Sequence, residues 1–531
     1  VNTTSGSLGD LVSERQIAEL PINGRNYINL TLMQPGVQEN RGGRGSTGAP
    51  GTWISVNGAP IRSNNFLLDG APIVSDTGGT TGGATGATLG IEGIREWKIV
   101  TNQYDAQYGM RMGSQLTMVT KGGTNDFHGT LFEYHRNSAL DARNFFDLQS
   151  DASTRRLPAF TRNQFGGAFG GPILRDKLFF FATYEGLRER KGLSIISQTI
   201  PAECQALTNN PCIPNSERTR QVNGRQNLAG NINPVIAPIV ALYPLPNLPG
   251  NRFTYPAGEQ GTEDYGQIRG DWNMGANDMF FARYTNSPSN SLDPLDFPPF
   301  IGTREFQKHI LSASDSHIFS PSLLGTFRYS VTFLDQTGES PMPEALNALS
   351  LVRDGKAPAG RGLPRISPGD GVTVLGPRNN TPAPRTYTTH TWSGDMFYTR
   401  GNHSFKFGTL INRLFQQNTH GNQYFGQITG GGLGRFLNGD PQTLQVQGAD
   451  INNTRQYRWW TYGFYLQDDF RAMSNLTLNL GLRYEFHTTY RAPDGIESSL
   501  RDIVNDTQFT VGPLFQNPSL GNVSPRFGFA W

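Results

Sequence analysis

From residue 127 onward, apolar and polar residues alternate along long stretches of the chain. The clearest stretch runs from Asn475 to His487. Its apolar positions are Leu476, Leu478, Leu480, Leu482, Tyr484 and Phe486. Its polar positions include Asn475, Thr477, Asn479, Arg483, Glu485 and His487. A period of two over a dozen residues predicts a β-strand with one apolar and one polar face.

Twelve segments of this kind follow one another along the chain. They lie near residues 127–136, 162–170, 178–190, 264–274, 279–286, 307–318, 323–334, 386–398, 403–416, 457–470, 475–489 and 524–531. Short turns such as Gly401-Asn402 alternate with long loops near 191–262, 338–385, 417–456 and 491–522. Long strands with short turns at one end and long loops at the other are typical of outer-membrane barrels. A soluble β-sandwich, the alternative, favours strands of about 5–6 residues.

The first 126 residues follow a different pattern. Short helical segments are predicted at Ser13–Leu20 and Asn26–Met33, each followed closely by a proline. Short strands are predicted at Trp53–Asn57, Asn65–Asp69, Trp97–Val100 and Gln115–Thr120. A Gly-rich loop, Thr77–Gly90, lies between two of them. We therefore predict a mostly β protein, with a small α+β domain at residues 1–126 and about twelve antiparallel strands of a large barrel at 127–531.

The composition narrows the possible classes of protein. The 531 residues include 63 Gly and 34 Pro, and only 17% are charged, against about 25% in an average globular chain. The longest aliphatic stretch, Val235–Tyr243, is interrupted by Pro238 and is far shorter than the roughly 18 apolar residues of a spanning helix. A net charge of +2 creates no overall field that would attract nucleic acid. We expect no nucleic-acid partner.

Motifs that carry chemistry are scarce. The segment Gly43–Gly48 matches GxGxxG, but no predicted strand precedes it and no helix pattern follows it, as a phosphate-binding turn requires. The sequence contains no HExxH, Walker A or GxSxG motif. The adjacent carboxylates Glu263-Asp264 and Asp468-Asp469 are interpreted as solvated charges at strand ends, with calcium ligands as the alternative. We therefore predict that the protein is not an enzyme and binds no cofactor or metal.

Several motifs resemble those of TonB-dependent outer-membrane receptors of the Oar-like group. In the first 126 residues they are Leu20–Tyr27, Gln34–Val37, Val56–Gly58, Asn64–Gly70, Ile94–Val100, Tyr104–Gly109 and Val119–Asn125. Beyond that point they are Phe127–Gly129, Asp141–Phe146, Asn163–Gly167, Asp176–Phe181 and Ser524–Gly528.

The resemblance implies a plug domain at residues 1–126 inside a barrel of about 22 strands. It also implies active import of a large or scarce substrate across the outer membrane, driven by a TonB complex, with membrane lipid around the barrel. The family's signal peptide, carboxypeptidase regulatory-like domain and TonB box would lie upstream of Val1. We therefore expect a fragment, with about ten more strands after Trp531. A passive channel or a surface adhesin on the same barrel, or a secreted carbohydrate-binding β-protein, remains an alternative.

Three groups of residues are candidates for specific roles. A loop that faces the substrate is predicted at Thr77, Gly78, Gly79, Thr80, Thr81, Gly82 and Gly83, because glycine lets the backbone approach a ligand closely. An unstructured connector is the alternative for this loop. Positions near a membrane interface, where aromatic rings collect, are predicted for Tyr457, Trp459, Trp460 and Tyr462. The row of leucines from Leu476 to Leu482 should face lipid, and Asn479 and Arg483 should face the lumen.

The two cysteines form a further group. Cys204 and Cys212 lie in a loop rich in proline and asparagine. A long loop on the outside of the cell is in an oxidising environment, where a disulfide persists. We predict a disulfide between them, with two free thiols as the alternative.

Overall fold

The computed structural model describes residues 8–13, 22–40, 52–74, 82–102, 105–109, 111–141, 159–350, 361–379, 381–448, 451–514 and 519–531. Strands dominate these residues, which confirms the prediction of a mostly β protein. They form a five-stranded sheet near the N terminus and a large antiparallel sheet of 13 strands.

The N-terminal domain is built on the five-stranded sheet. Its strands, with a separate β2–β3 pair, are β1 Leu8–Ser13, β2 Val37–Glu39, β3 Ile54–Val56, β4 Asn65–Leu68, β5 Ala71–Pro72, β6 Ile94–Asn102 and β7 Gln115–Thr120. The sheet order is β1-β6-β7-β4-β5, and only β4 and β7 run parallel. Short 3₁₀ helices lie at Asn23–Arg25, Tyr27–Met33 and Ile91–Gly93. The fully buried core includes Ile28, Ile54, Trp97, Ile99, Leu116 and Met118.

The helix predictions in this domain are only partly right. The segment Asn26–Met33 forms a 3₁₀ helix, and the Asn26 side chain caps it by accepting the N–H of Ile28 at 3.2 Å. Strand β1 was missed, because the apolar positions of Leu8–Ser13 are spaced as in a helix. Its pairing with β6 instead makes it a strand. The rest of the helix predicted at Ser13–Leu20 lies outside the described residues.

The remaining strands follow in chain order. They are β8 His128–Asn137, β9 Phe160–Leu174, β10 Leu178–Gln198, β11 Gln221–Val222, β12 Arg225–Gln226, β13 Arg252–Asn273, β14 Asp278–Asn286, β15 Ser289–Pro294, β16 Ile301–Ser320, β17 Leu323–Glu339, β18 Arg365–Ser367, β19 Arg385–Arg400, β20 His403–Thr419, β21 Gln427–Thr429, β22 Thr443–Gln445, β23 Thr454–Met473, β24 Leu476–His487, β25 Ser498–Ser499, β26 Thr510–Val511 and β27 Val523–Ala530.

The large sheet is a meander in which neighbours in sequence are neighbours in space. Its order is β8-β9-β10-β13-β14-β16-β17-β19-β20-β23-β24-β27, and β15 pairs with both β13 and β16. All twelve predicted segments are present as strands. The thirteenth, β15, was not predicted, because Ser289–Pro294 shows no apolar alternation.

Several strands continue farther toward the long loops than their alternation suggests. Strands β10 and β13 stay paired from Leu178↔Trp272 to Gln198↔Arg252, so the predicted loop at 191–262 is shorter than expected. Backbone pairing does not require alternating side chains once a strand leaves the apolar layer, which is why the pattern missed these extensions.

The two faces of the large sheet differ as predicted. In β24, Leu480 and Leu482 are 41% and 48% exposed, whereas Arg483 on the opposite face is 1% exposed. We call the face that carries Arg483, toward the N-terminal domain, the inner face. The other is the outer face.

Helices are few and short in the part of the chain that the structure describes. The α-helices are α1 Asn215–Arg218, α2 Ala237–Val240 and α3 Leu433–Leu437, and further 3₁₀ helices lie at Ser138–Leu140, Ala202–Gln205 and Glu344–Leu349. Among the described residues, no helix has the length and apolar character needed to cross a membrane.

The long connections pack on one another at one end of the large sheet. Residues from 199–251, 295–300, 340–384 and 420–439 share a hydrophobic core, which we call the loop core. Its fully buried members include Ile200, Cys204, Phe300, Leu363, Leu375, Phe436 and Leu437. The structure joins Cys204 and Cys212 in a disulfide with a Cα–Cα distance of 5.3 Å. The loops therefore form one packed unit instead of folding as separate loops.

Candidate functional site

The inner face of the large sheet binds the N-terminal domain through buried charges. Nε of Arg283, on β14, lies 2.8 Å from Oδ2 of Asp69. The Arg283 side chain is 0% exposed and that of Asp69 is 3% exposed. The Nε–H of Arg283 is not aimed at an acceptor, so this contact is ionic. The same guanidinium donates a hydrogen bond to the carbonyl of Leu68 at 3.1 Å.

A tight turn presents Asp69 to the large sheet. Strands β4 and β5 pair with Leu68 opposite Ala71, so Asp69 and Gly70 form a two-residue turn. Both have positive φ, at 49° and 83°, and Asp-Gly is a favoured sequence for that geometry. The parallel neighbour β7 brings Thr120 alongside. Its N–H and hydroxyl donate to the Asp69 carboxylate at 2.9 and 2.8 Å.

A second arginine supports the same region. Arg269, on β13, donates to the hydroxyl of Thr120 at 2.9 Å and to the carboxylate of Asp271 at 2.6 Å. Its guanidinium lies 4.0 Å from the ring centre of Phe281 and 3.8 Å from Asp69. Two arginines of the large sheet thus face one carboxylate of the N-terminal domain, and Asp271 balances the second positive charge.

The Gly-rich loop of the N-terminal domain lies against the wall formed by β10, β13 and β15. Oε1 of Glu263 accepts both the N–H and the hydroxyl of Thr85, at 2.7 and 2.5 Å. The Oγ of Ser289 accepts the N–H of Ala84 at 2.9 Å. Oε2 of Glu185 accepts the N–H of Gly90 at 2.7 Å.

Glycine is required for this close contact. A Cβ atom on Gly83 would lie 2.7 Å from atoms of both Glu263 and Ser289, and one on Gly90 would lie 2.4 Å from the ring of Tyr265. Of the predicted loop residues, Gly82 and Gly83 are described, whereas Thr77, Gly78, Gly79, Thr80 and Thr81 lie outside the described residues. The segment Gly43–Gly48 also lies outside them.

The interpretation of Glu263-Asp264 as solvated charge is wrong for Glu263. Glu263 is 2% exposed and points to the inner face, whereas Asp264 points to the outer face and pairs with Arg188 at 2.9 Å. The sequence analysis assigned both to a strand end. They lie inside β13, where adjacent residues face opposite sides. Asp468 likewise lies within a strand and pairs with His403 at 2.7 Å.

The other end of the large sheet also contacts the N-terminal domain. Arg483 donates to the carbonyls of Ala106 and Gln107 at 3.1 and 3.2 Å. The side-chain oxygen of Gln467 accepts the N–H of Ala106 at 2.8 Å. Burial, and next the neighbouring charge of Asp105, raise the pKa of Tyr108 in this segment to about 12. The prediction that Arg483 faces inward is confirmed.

A cavity separates the N-terminal domain from β19 and β20. It encloses about 80 Å³ and is lined by Leu67 and Val74 on one side and by Thr391, Asn412 and Leu414 on the other. The lining mixes apolar and polar groups. Here the two parts of the molecule are less tightly packed than at Asp69.

The aromatic residues predicted at a membrane interface divide between the two faces. Trp460 and Tyr462 are on the outer face and stack with ring centres 6.1 Å apart. Trp459 is 2% exposed and packs on Tyr490 with ring centres 4.6 Å apart. Tyr457, two residues earlier on the same strand, points to the same inner face. The prediction is therefore wrong for Trp459 and Tyr457, because consecutive residues of a strand alternate between faces.

Sequence reasoning did not single out Asp69, Arg269 or Arg283 as functional. A signal was present, because Arg283 is an arginine within a mostly apolar and aromatic segment, Met279–Tyr284. Its partner is more than 200 residues away in sequence, as the contact between Leu68 and Arg283 shows. Only the fold reveals the pairing.

Comparisons with known proteins agree with this architecture. The outer membrane beta barrel domain family matches residues 119–531. The TonB-dependent transporter Oar of Myxococcus xanthus is 23% identical over 538 residues, which cover 88% of this chain and 45% of that protein.

Two solved structures are similar in fold. The outer membrane transporter YddB from Escherichia coli matches with a TM-score of 0.57 at 12% identity, over 98% of this chain and 58% of that one. FpvA of P. aeruginosa, solved with heterologous pyoverdines, matches with a TM-score of 0.53 at 11% identity, over 99% and 55%. The chain thus spans about half the length of the relatives it matches.

Proposed function

Because this chain belongs to the outer membrane beta barrel domain family, we propose that it takes part in TonB-dependent import across the outer membrane, where the protein is located. Residues 1–126 would act as a plug and residues 127–531 as the N-terminal part of the barrel wall. The protein would bind its substrate and control the passage of that substrate through the barrel. Oar and YddB are described as transporters, and FpvA was solved with pyoverdines bound.

The observation that carries this proposal is the chemistry of the interface between the plug and the wall. Many of its contacts are ion pairs and hydrogen bonds, centred on Asp69 with Arg283, Glu263 with Thr85, and Arg483 with Ala106. They lie beside one small apolar cluster of Leu89, Leu187 and Tyr265. Water can replace such contacts when the plug moves, so the net cost of breaking each one is modest. An apolar interface of the same size would lose its burial without compensation. A polar interface therefore suits a plug that must be displaced and must return.

The position of the Gly-rich loop supports a role in substrate contact. Glu263, which holds Thr85, lies ten residues from Asn273 at the short-turn end of β13, about 33 Å along the strand. Short turns of outer-membrane barrels face the periplasm and long loops face the exterior. The described part of this loop, residues 82–90, would thus meet a substrate arriving from outside.

Uptake measurements in living cells test this function. Cells with the full-length protein, with and without a working TonB complex, are grown in complex medium, and medium components are quantified by mass spectrometry. We expect a component that is depleted only when both the protein and the TonB complex are present. Depletion that persists without TonB would instead identify a passive channel. A surface with binding activity but no depletion would identify an adhesin.

A further inference from the structure

The outer face of the large sheet carries an apolar band with charged groups at both ends. On β20 and β23 the band begins at the pair His403–Asp468, next to the short turns. It ends on β20 at Arg413, ten residues farther along. Ten residues span about 33 Å of strand, or roughly 25 Å of membrane at a tilt of about 40°. That is the usual height of the lipid-facing band, so Arg413 lies level with the outer-leaflet headgroups.

A row of stacked rings lies at this level and just below it. Trp392 stacks on Trp460 with ring centres 6.0 Å apart, and Tyr462 stacks on Phe486 at 4.9 Å. His390 continues the row beside Trp392 at 5.9 Å. Aromatic side chains collect where hydrocarbon meets headgroups. The row therefore marks the outer boundary of the membrane independently of the number of residues counted along β20.

Three arginines cluster at this boundary. The register of β20 and β23 places Arg413 opposite Trp460 and Arg458 opposite Phe415. Each guanidinium lies over an aromatic ring, Arg413 at 5.5 Å from the centre of Trp460 and Arg458 at 5.4 Å from that of Phe415. Arg491 joins Arg458 through two backbone hydrogen bonds of 2.9 and 3.1 Å. All three residues are exposed.

Among the described residues, the guanidinium groups of these arginines have no carboxylate in direct contact. In the described part of the chain, no carboxylate oxygen lies within 4.0 Å of a side-chain nitrogen of Arg413, Arg458 or Arg491. Elsewhere on the outer face, polar side chains such as Arg188 and His403 are paired with aspartates. Stacking on a ring holds the guanidinium of Arg413 and that of Arg458 in place and leaves their N–H groups available to a ligand.

We propose that Arg413, Arg458 and Arg491 form a binding site for the phosphate groups of an outer-leaflet lipid, a phosphorylated glycolipid. The planar guanidinium fork matches the oxygens of a phosphate, and three clustered positive charges require an anion. The ring row below offers apolar surface to the acyl chains of the same molecule. The site does not depend on the proposed import function, because it requires only the outer-membrane location.

The test uses the full-length protein, purified in detergent, with lipid A as the probe. Binding of bis-phosphorylated lipid A and of the same lipid after dephosphorylation is measured by native mass spectrometry. We expect a preference for the phosphorylated form. Each arginine removed should weaken binding about fivefold, so Arg413→Gln/Arg458→Gln should lose roughly 25-fold.

A charge-matched control is available on the loop side. Arg225 on β12 and Arg252 at the start of β13 are exposed and far from the ring row, so Arg225→Gln/Arg252→Gln should bind lipid A like the original protein. Equal binding of the dephosphorylated lipid, or equal losses in the two double variants, would overturn the proposal. Displacement of lipid A by inorganic phosphate at the same concentration would also overturn it, in favour of a site for free anions. If the double variant does not fold, Arg491→Gln alone provides the comparison.

Discussion

The buried pair of Asp69 and Arg283 allows a sharp test of how the proposed plug is held. The perturbation is Asp69→Asn, which removes the negative charge and keeps the shape of the side chain. Asparagine tolerates the positive φ of 49° at this position as well as aspartate does. The amide oxygen can still accept the N–H of Thr120. The substitution thus isolates the charge opposite Arg283.

The expected magnitude follows from burial. Arg283 is 0% exposed, so the variant leaves a buried positive charge without its partner, which costs about 3–5 kcal/mol. Arg269 keeps its own partner, Asp271. A cost of this size shifts the equilibrium between the docked and the released plug by roughly 10² to 10⁴. Removing both charges, in Asp69→Asn/Arg283→Gln, should recover part of this loss.

Single-channel recording of the full-length protein in planar bilayers measures the released state. We expect frequent large openings with Asp69→Asn, fewer with the double variant, and closed channels with the original protein. The control is Asp264→Asn, which breaks the partly exposed pair with Arg188 and should have little effect, because exposed pairs contribute about 0–1 kcal/mol. If Asp69→Asn stays closed, or if the double variant opens as often as Asp69→Asn, the ionic contact does not hold the proposed plug.

Three further outcomes are expected. Leu480→Arg should lower the free energy of unfolding by about 2–4 kcal/mol in lipid, whereas Asn479→Arg should be nearly neutral because Asp469 lies beside it; equal effects in urea titrations would show that the faces are misassigned. Deleting residues 1–126 from the full-length protein should raise the conductance, because the inner face is polar and would fill with water; an unchanged conductance would contradict a plugged lumen. Cys204→Ser should leave the heat resistance of the barrel intact while proteases cleave the loops faster; two thiols that alkylate freely in unreduced original protein would contradict the disulfide.

The sequence predicted those strands in which the alternation of apolar and polar residues matches the alternation between the outer and inner faces. Strand β24 was predicted from its alternation because its leucines face outward and Arg483 faces inward, residue by residue. Strand β15 and the ends of β10 and β13 nearest the long loops were not predicted. They are defined by backbone pairing and not by an alternation of apolar and polar side chains. The contact between Asp69 and Arg283 could not be predicted, because the two residues are far apart in sequence and meet only in the folded structure. The assignment of residues 1–126 and 127–531 as separate domains stays a prediction.

The loop core has a consequence for how this protein diversifies. Segments separated by hundreds of residues contribute to one packed interior, with Ile200, Phe300, Leu375 and Phe436 from four different connections. A deletion or insertion in one connection therefore disturbs the packing of the other three. A substrate-binding surface built on these four segments, as the proposed function requires, would therefore evolve as a set. Transplanting a single loop from a relative should disrupt the loop core, whereas transplanting all four together should preserve its packing.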